Sequence, residues 1–136
     1  MATLTDKKAL NLEAAREIAA AAEAEARKNG WNVSIAILDD GGHLLHYLRM
    51  DEAPLGSVNV SQAKARSALL FKRPTKVFSE TVAGGRVNML ALPGAIPVEG
   101  GVPLLAGGKV IGSIGVSGVT SEQDGEVAAA GAAVLA

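Results

Sequence analysis

A chain of 136 residues, 49% hydrophobic but only 3% aromatic, can bury one core, and that core must be built from Ala, Val, Ile and Leu. The net charge is −1 and no basic run occurs, which argues against nucleic acid or an anionic membrane surface as a partner. The absence of cysteine excludes disulfides, thiolate metal sites and cysteine nucleophiles.

The opening residues, MATLTDKK, lack an apolar signal segment. No charge-free apolar run long enough to span a bilayer occurs outside the alanine-rich tail, so a cytoplasmic location is expected. Residues 5–29 read as a long helix, with Thr5 as N-cap, Asp6 at the positive end, Arg27 and Lys28 at the other, and Gly30 as the stop. Leu4, Ala15, Ile18, Ala19, Ala22 and Ala26 make its apolar stripe, a small-residue face suited to tight packing. Residues 33–39 form the first strand, Asp40-Gly41-Gly42 a turn, and residues 43–49 the returning strand. Strict alternation puts His43, Leu45 and Tyr47 on one face and Leu44, His46 and Leu48 on the other. The two histidines then point apart, and no metal site is expected.

Arg49-Met50-Asp51-Glu52 closes that strand with clustered charge. The cluster can be a set of mutual ion pairs, or Arg49 can hold a ligand carboxylate bidentately. Residues 57–71 read as the second helix, ended by Lys72-Arg73-Pro74. On it Lys64 sits between Ala63 and Ala65. It is either a snorkelling surface lysine or a partly desolvated ammonium. Residues 75–82 form a short third helix, stopped by Gly84-Gly85. Pro93, Gly94 and Pro97 leave a loop and a short edge strand near residues 95–98.

Gly107-Gly108 between two apolar runs is a two-residue hairpin signal. In the strand that follows, Val110, Gly112, Ile114 and Val116 alternate with Ile111, Ser113, Gly115 and Ser117. So much glycine and serine lets something approach closely, either a helix backbone or a ligand. Ser121 as N-cap with Asp124 at N3 starts the last helix, over residues 122–135. The element order implies an α/β fold of α+β type, a mainly antiparallel sheet flanked by helices in one domain spanning residues 1–136.

Taken in order, the alanine-rich first helix, VSIAILDDGGHLL, RMDEAP, SQAKARSALLF, GGVPLL, GGKVIGSIGVSG and the QD before an alanine-rich helix resemble the GlcG/HbpS family, which also supplies the C-terminal domain of PduO-type adenosyltransferases. The resemblance implies a profilin-like domain with a five-stranded antiparallel sheet, and homo-oligomers from dimer to octamer. It implies haem binding in some relatives and association with corrinoid enzymes in others. In one haem-binding branch the iron ligand is a histidine on the first helix. This chain has none there, which leaves Tyr47 or His43 as substitutes, and no cofactor is expected from the residues themselves.

Three functions follow. The first is a small-molecule-binding protein, or a metal-free isomerase, tautomerase or lyase of small oxo- or hydroxy-carboxylic acids. Its site would gather Arg49, Asp51, Gly100, Gly101, Ser117 and Gly118 on the substrate, with Lys64, His43 or Asp124 moving a proton. The second is a haem- or corrinoid-binding protein. The third is a structural oligomer without a small-molecule site, built on the alanine faces of the first and last helices.

Overall fold

A computed structural model describes residues 1–135. The elements are α1 (Leu12–Asn29), β1 (Ser34–Asp39), β2 (Leu44–Arg49), α2 (Ser57–Phe71), α3 (Thr75–Ala83), a 3₁₀ turn (Val87–Ala91), β3 (Gly101–Ala106), β4 (Lys109–Ser117) and α4 (Ser121–Ala132), with a last 3₁₀ turn at Ala133–Leu135. The four strands form one antiparallel sheet in the order β2-β1-β4-β3. Helices α1 and α4 cover one face. There Ile35, Ile37, Ile114 and Val116 meet Ile18, Ala22 and Val127 in the main core. Helix α2 covers the other face, where Ala65 packs with Ala36 and Leu38. The alanine stripe of α1 is spent inside the chain: Ala15, Ala19, Ala22 and Ala26 are all buried without a partner subunit. Among the described residues no helix is long and apolar enough to cross a membrane.

The sheet has four strands, not the five expected. The stretch 95–98 is irregular, because its amides are satisfied elsewhere: Ala95 N–H donates to Leu92 O and Ile96 N–H to Ser67 Oγ. Pro93 and Pro97 have no N–H to offer a ladder. Helix α1 starts at Leu12 rather than near Thr5. Asn11 is the stronger cap, accepting Ala14 N–H at 2.8 Å, and the apolar stripe begins only beyond it, so Leu4, expected on the stripe, is exposed instead. Residues 1–9 are an exposed arm, and Leu10 is the first buried side chain. Helix α4 is capped by Thr120 with Gln123 in a capping box, not by Ser121 with Asp124. That one-residue change frees the Asp124 carboxylate to turn inward.

The Gly107-Gly108 hairpin forms as expected, with both residues at positive φ, 57° and 77°. The alternation holds only in part. Bulges lie between Ile37 and Leu38 in the β1–β2 pairing and between Leu104 and Leu105 in the β3–β4 pairing. Each shifts the pleat by one residue, so Leu45 joins Leu48, and Ile111 joins Ile114, against the α1 and α4 core.

Candidate functional site

The glycine-rich face of β4 is occupied by a helix backbone. Side chains at Ser57, Ser61, Ala65 and Ala68 keep the inner face of α2 small, and all four are buried. A Cβ at Gly115 would lie 2.5 Å from Ala65 N and would overlap Ser61 O. Ser113 Oγ donates to Ala65 O at 2.6 Å, so the approach is also hydrogen-bonded, and Gly101 N–H of β3 donates to Thr75 Oγ1 of α3 at 2.9 Å.

This close contact brings Lys64 inside. Its side chain is 1% exposed, and Nζ donates to Asp124 Oδ2 and to Val116 O, each at 3.0 Å. Asp124 Oδ1 accepts Val119 N–H at 3.1 Å. Burial pushes the Asp124 carboxyl up, while the Lys64 ammonium and the backbone N–H groups of Val119 and Gly118 hold it back. Gly100, at φ 137°, lies beside the ammonium, and a Cβ there would sit 2.8 Å from Nζ. Thus Lys64, Asp124, Gly100, Gly101, Ser117 and Gly118 do come together. They meet as a packed, dry ion pair, its side chains 1% and 3% exposed, away from the cationic hollows of the sheet's turn end.

Arg49 and His43 stand apart from that pair. Arg49 is exposed at the end of β2, in one cross-strand row with Ser34 and Ser117. It therefore shares the α2 face with Ser117, but two strands away, roughly 10 Å across the sheet. Between them Ser34 Oγ shares hydrogen bonds with Ser57 Oγ at 2.8 Å and Tyr47 OH at 3.0 Å. Asp51 is exposed in the turn beyond. His43 lies in the β1–β2 turn, 83% exposed and 3.4 Å from Asp39 Oδ1. That turn is five residues along β1 from the Ser34 row, roughly 16 Å away at strand rise. Hydrogen bonds from the His43 and Gly41 N–H groups to Asp39 organise the turn, and the first of these is the main cause holding the Asp39 carboxyl below its usual value.

One hollow, lined by Arg27, Gly30, Trp31, Asn32 and Met50, lies toward the ion-pair end, but the cationic ones open at the opposite end. Antiparallel order places the β1–β2 turn, the β3–β4 hairpin and the C-terminus of α2 side by side there. Two adjoining hollows, about 370 and 630 Å³, share Lys7, Asp40, Lys72 and Val110. Arg66, Lys8 and Lys109 complete a basic rim, and Leu69, Leu70, Leu105 and Ile111 supply apolar walls. Asp40 is the one carboxylate among the described residues lining either hollow. The sequence reading missed this cluster. Its cations are scattered over about a hundred residues and never form a run. The available signal was that Asp40-Gly41-Gly42, Lys72 and Gly107-Gly108-Lys109 are all turn or cap positions, which antiparallel pairing gathers at one end.

Among the described residues no cluster of His, Cys, Asp or Glu is suited to a metal ion. No His, Cys, Met or Tyr among them lines the two hollows, and α1 contains no histidine. The residues present match acidic groups and an apolar body, not a liganded iron.

The family model described as "Haem degrading protein HbpS-like" matches residues 10–133. Protein GlcG of Escherichia coli K12 is 48% identical over 108 residues, covering 79% of this chain and 81% of GlcG. The crystal structure of Klebsiella pneumoniae protein ORFY superposes with a TM-score of 0.91 at 32% identity, covering 99% of this chain and 96% of that one. The crystal structure of a PduOC:heme complex superposes with a TM-score of 0.83 at 28% identity, covering 93% and 94%.

Proposed function

The chain belongs to the HbpS-like family, and we propose that it is a small-molecule-binding protein whose ligand carries carboxylates and is held in the basic cleft at the turn end of the sheet. The observation that carries this reading is the cleft itself. Lys7, Lys8, Arg66, Lys72 and Lys109 surround apolar walls with one carboxylate between them. Both volumes lie in the range of small-ligand sites. Arg66 can take a carboxylate bidentately, and the lysines act as point charges beside it. Small oxo- and hydroxy-carboxylic acids suit the rim. Haem, the ligand of the PduOC complex, offers two propionates to the same cations and an apolar ring to the walls. The fit stops at its iron, for which the cleft has no side-chain ligand. Haem in this cleft would therefore be held through its acids.

Isothermal titration with haem, malate and 2-oxoglutarate tests the proposal. Removing one charge-assisted contact with Arg66→Ala or Lys72→Ala should weaken binding roughly tenfold or more. Binding that is unchanged in both variants places the ligand elsewhere.

The buried Lys64–Asp124 contact favours a second reading, metal-free isomerase, tautomerase or lyase chemistry on an oxo- or hydroxy-acid. In it the pair moves a proton, and Arg49, with Asp51 beside it, clamps the substrate carboxylate at the same end of the sheet. This requires α2 to lift from the Gly100-Gly101 loop, since the pair is dry in the closed fold. Arg49→Ala should then abolish carboxylate binding while leaving stability unchanged. Retained affinity removes this reading.

A further inference from the structure

We propose that Asp40 is a built-in competitor for the ligand: its carboxylate occupies the anion subsite beside Lys7, and a bound dicarboxylate takes its place. The inference rests on the basic cleft being the ligand site. It adds the ligand class and the residue that sets affinity.

Asp40 is the single acid among the described residues lining these two hollows, against five cations; Asp6 lies in a third hollow beside Lys7, Lys8 and Lys109. It is not needed to form its own turn, because Asp39 Oδ1 accepts the Gly41 and His43 N–H groups at 2.9 and 3.0 Å. Its carboxylate is instead hydrogen-bonded to Lys7 Nζ. Lys7 belongs to the exposed arm before α1, which is anchored where Leu10 enters the core. Among the described residues this contact is the one ion pair that ties the arm to the body. The partners are 64% and 33% exposed, and exposed pairs typically shift an equilibrium by about fivefold or less. A ligand carboxylate that meets Lys7 together with a second cation can displace it.

One carboxylate merely exchanges with Asp40. A net gain needs a second acid that reaches Arg66 or Lys72, which line the same hollow. The cleft therefore selects dicarboxylates over monocarboxylates. The displaced Asp40 remains close by as a like charge, which caps the affinity of the natural chain.

The test is a double-mutant cycle on the full chain, with malate as the dicarboxylate and lactate as the monocarboxylate, read by isothermal titration. Asp40→Asn should tighten malate binding roughly three- to tenfold, and malate should bind at least tenfold tighter than lactate. Lys7→Ala should weaken malate binding and should cancel most of the gain from Asp40→Asn in the double variant. A gain that persists in the Lys7→Ala background is a general field effect and overturns the competition. Equal or weaker binding by Asp40→Asn, with the natural chain still binding malate, overturns it too while leaving the cleft as the ligand site. If neither the natural chain nor Asp40→Asn binds malate, 2-oxoglutarate or haem, both proposals fall.

Discussion

Replacing Lys64 by methionine probes the least ordinary feature of the fold. Methionine fills similar space but leaves the Asp124 carboxylate buried with backbone N–H partners only, and leaves Val116 O without its donor. Removing one member of a buried ion pair costs about 3–5 kcal/mol, because the surviving charge stays desolvated. For a chain of this size that lowers Tm by roughly 10–20 °C. The loss should depend on pH. Burial already raises the Asp124 carboxyl, and Lys64 is the main influence opposing it. Without Lys64 the folded value rises further above the ordinary 3.8. A group raised on folding stabilises fully below its unfolded value and loses that contribution as pH climbs through the folded one. Urea unfolding of Lys64→Met should therefore show the full deficit near pH 7.5 and a smaller one near pH 5. The double variant Lys64→Met/Asp124→Leu should recover most of the loss, with an unchanged m value. A deficit below about 1 kcal/mol, or one equal at both pH values, would refute the reasoning.

Gly115→Ala should cost more than about 4 kcal/mol or prevent folding, because its methyl would meet the rigid backbone of α2 at Ser61 and Ala65; soluble expression and a near-natural Tm would contradict the packing. Asp39 is lowered by its turn hydrogen bonds, so its contribution is present above the unfolded value of about 3.8 and is lost as pH falls through the folded one. Asp39→Asn should accordingly flatten the acid limb of the stability profile; an unchanged slope below about pH 4 would count against that turn.

Local chemistry made much of the fold legible. The span of α2, the glycine hairpin and the small apolar face of α1 follow from patterning and turn residues that act over a few positions. What escaped depends on competition between neighbours. Thr120 and Ser121 are both acceptable caps, and the choice decides whether Asp124 serves the helix end or Lys64. Bulges are silent in an alternating pattern, so alternation alone gives Leu45 and Ile111 the wrong neighbours. The close approach that Gly115 allows on β4 is legible, with a helix backbone or a ligand as its two readings, but the choice of α2 as the occupant is not. The convergence of Lys64 with Asp124 and the Gly100 loop was legible as residues. Its dryness was not, because solvent access is a property of packing. The basic cleft joins Lys7, Asp40, Arg66, Lys72 and Lys109, whose proximity only the strand order creates.

Amide chemical-shift mapping during a malate titration tests the placement of the ligand most directly. Binding in the cleft should move the amides of residues 40–42, 70–72 and 108–110, at the turn end of the sheet. Shifts centred instead on Arg49, Gly100, Gly101, Ser117 and Gly118 would contradict the account and put the ligand at the end that holds Lys64 and Asp124.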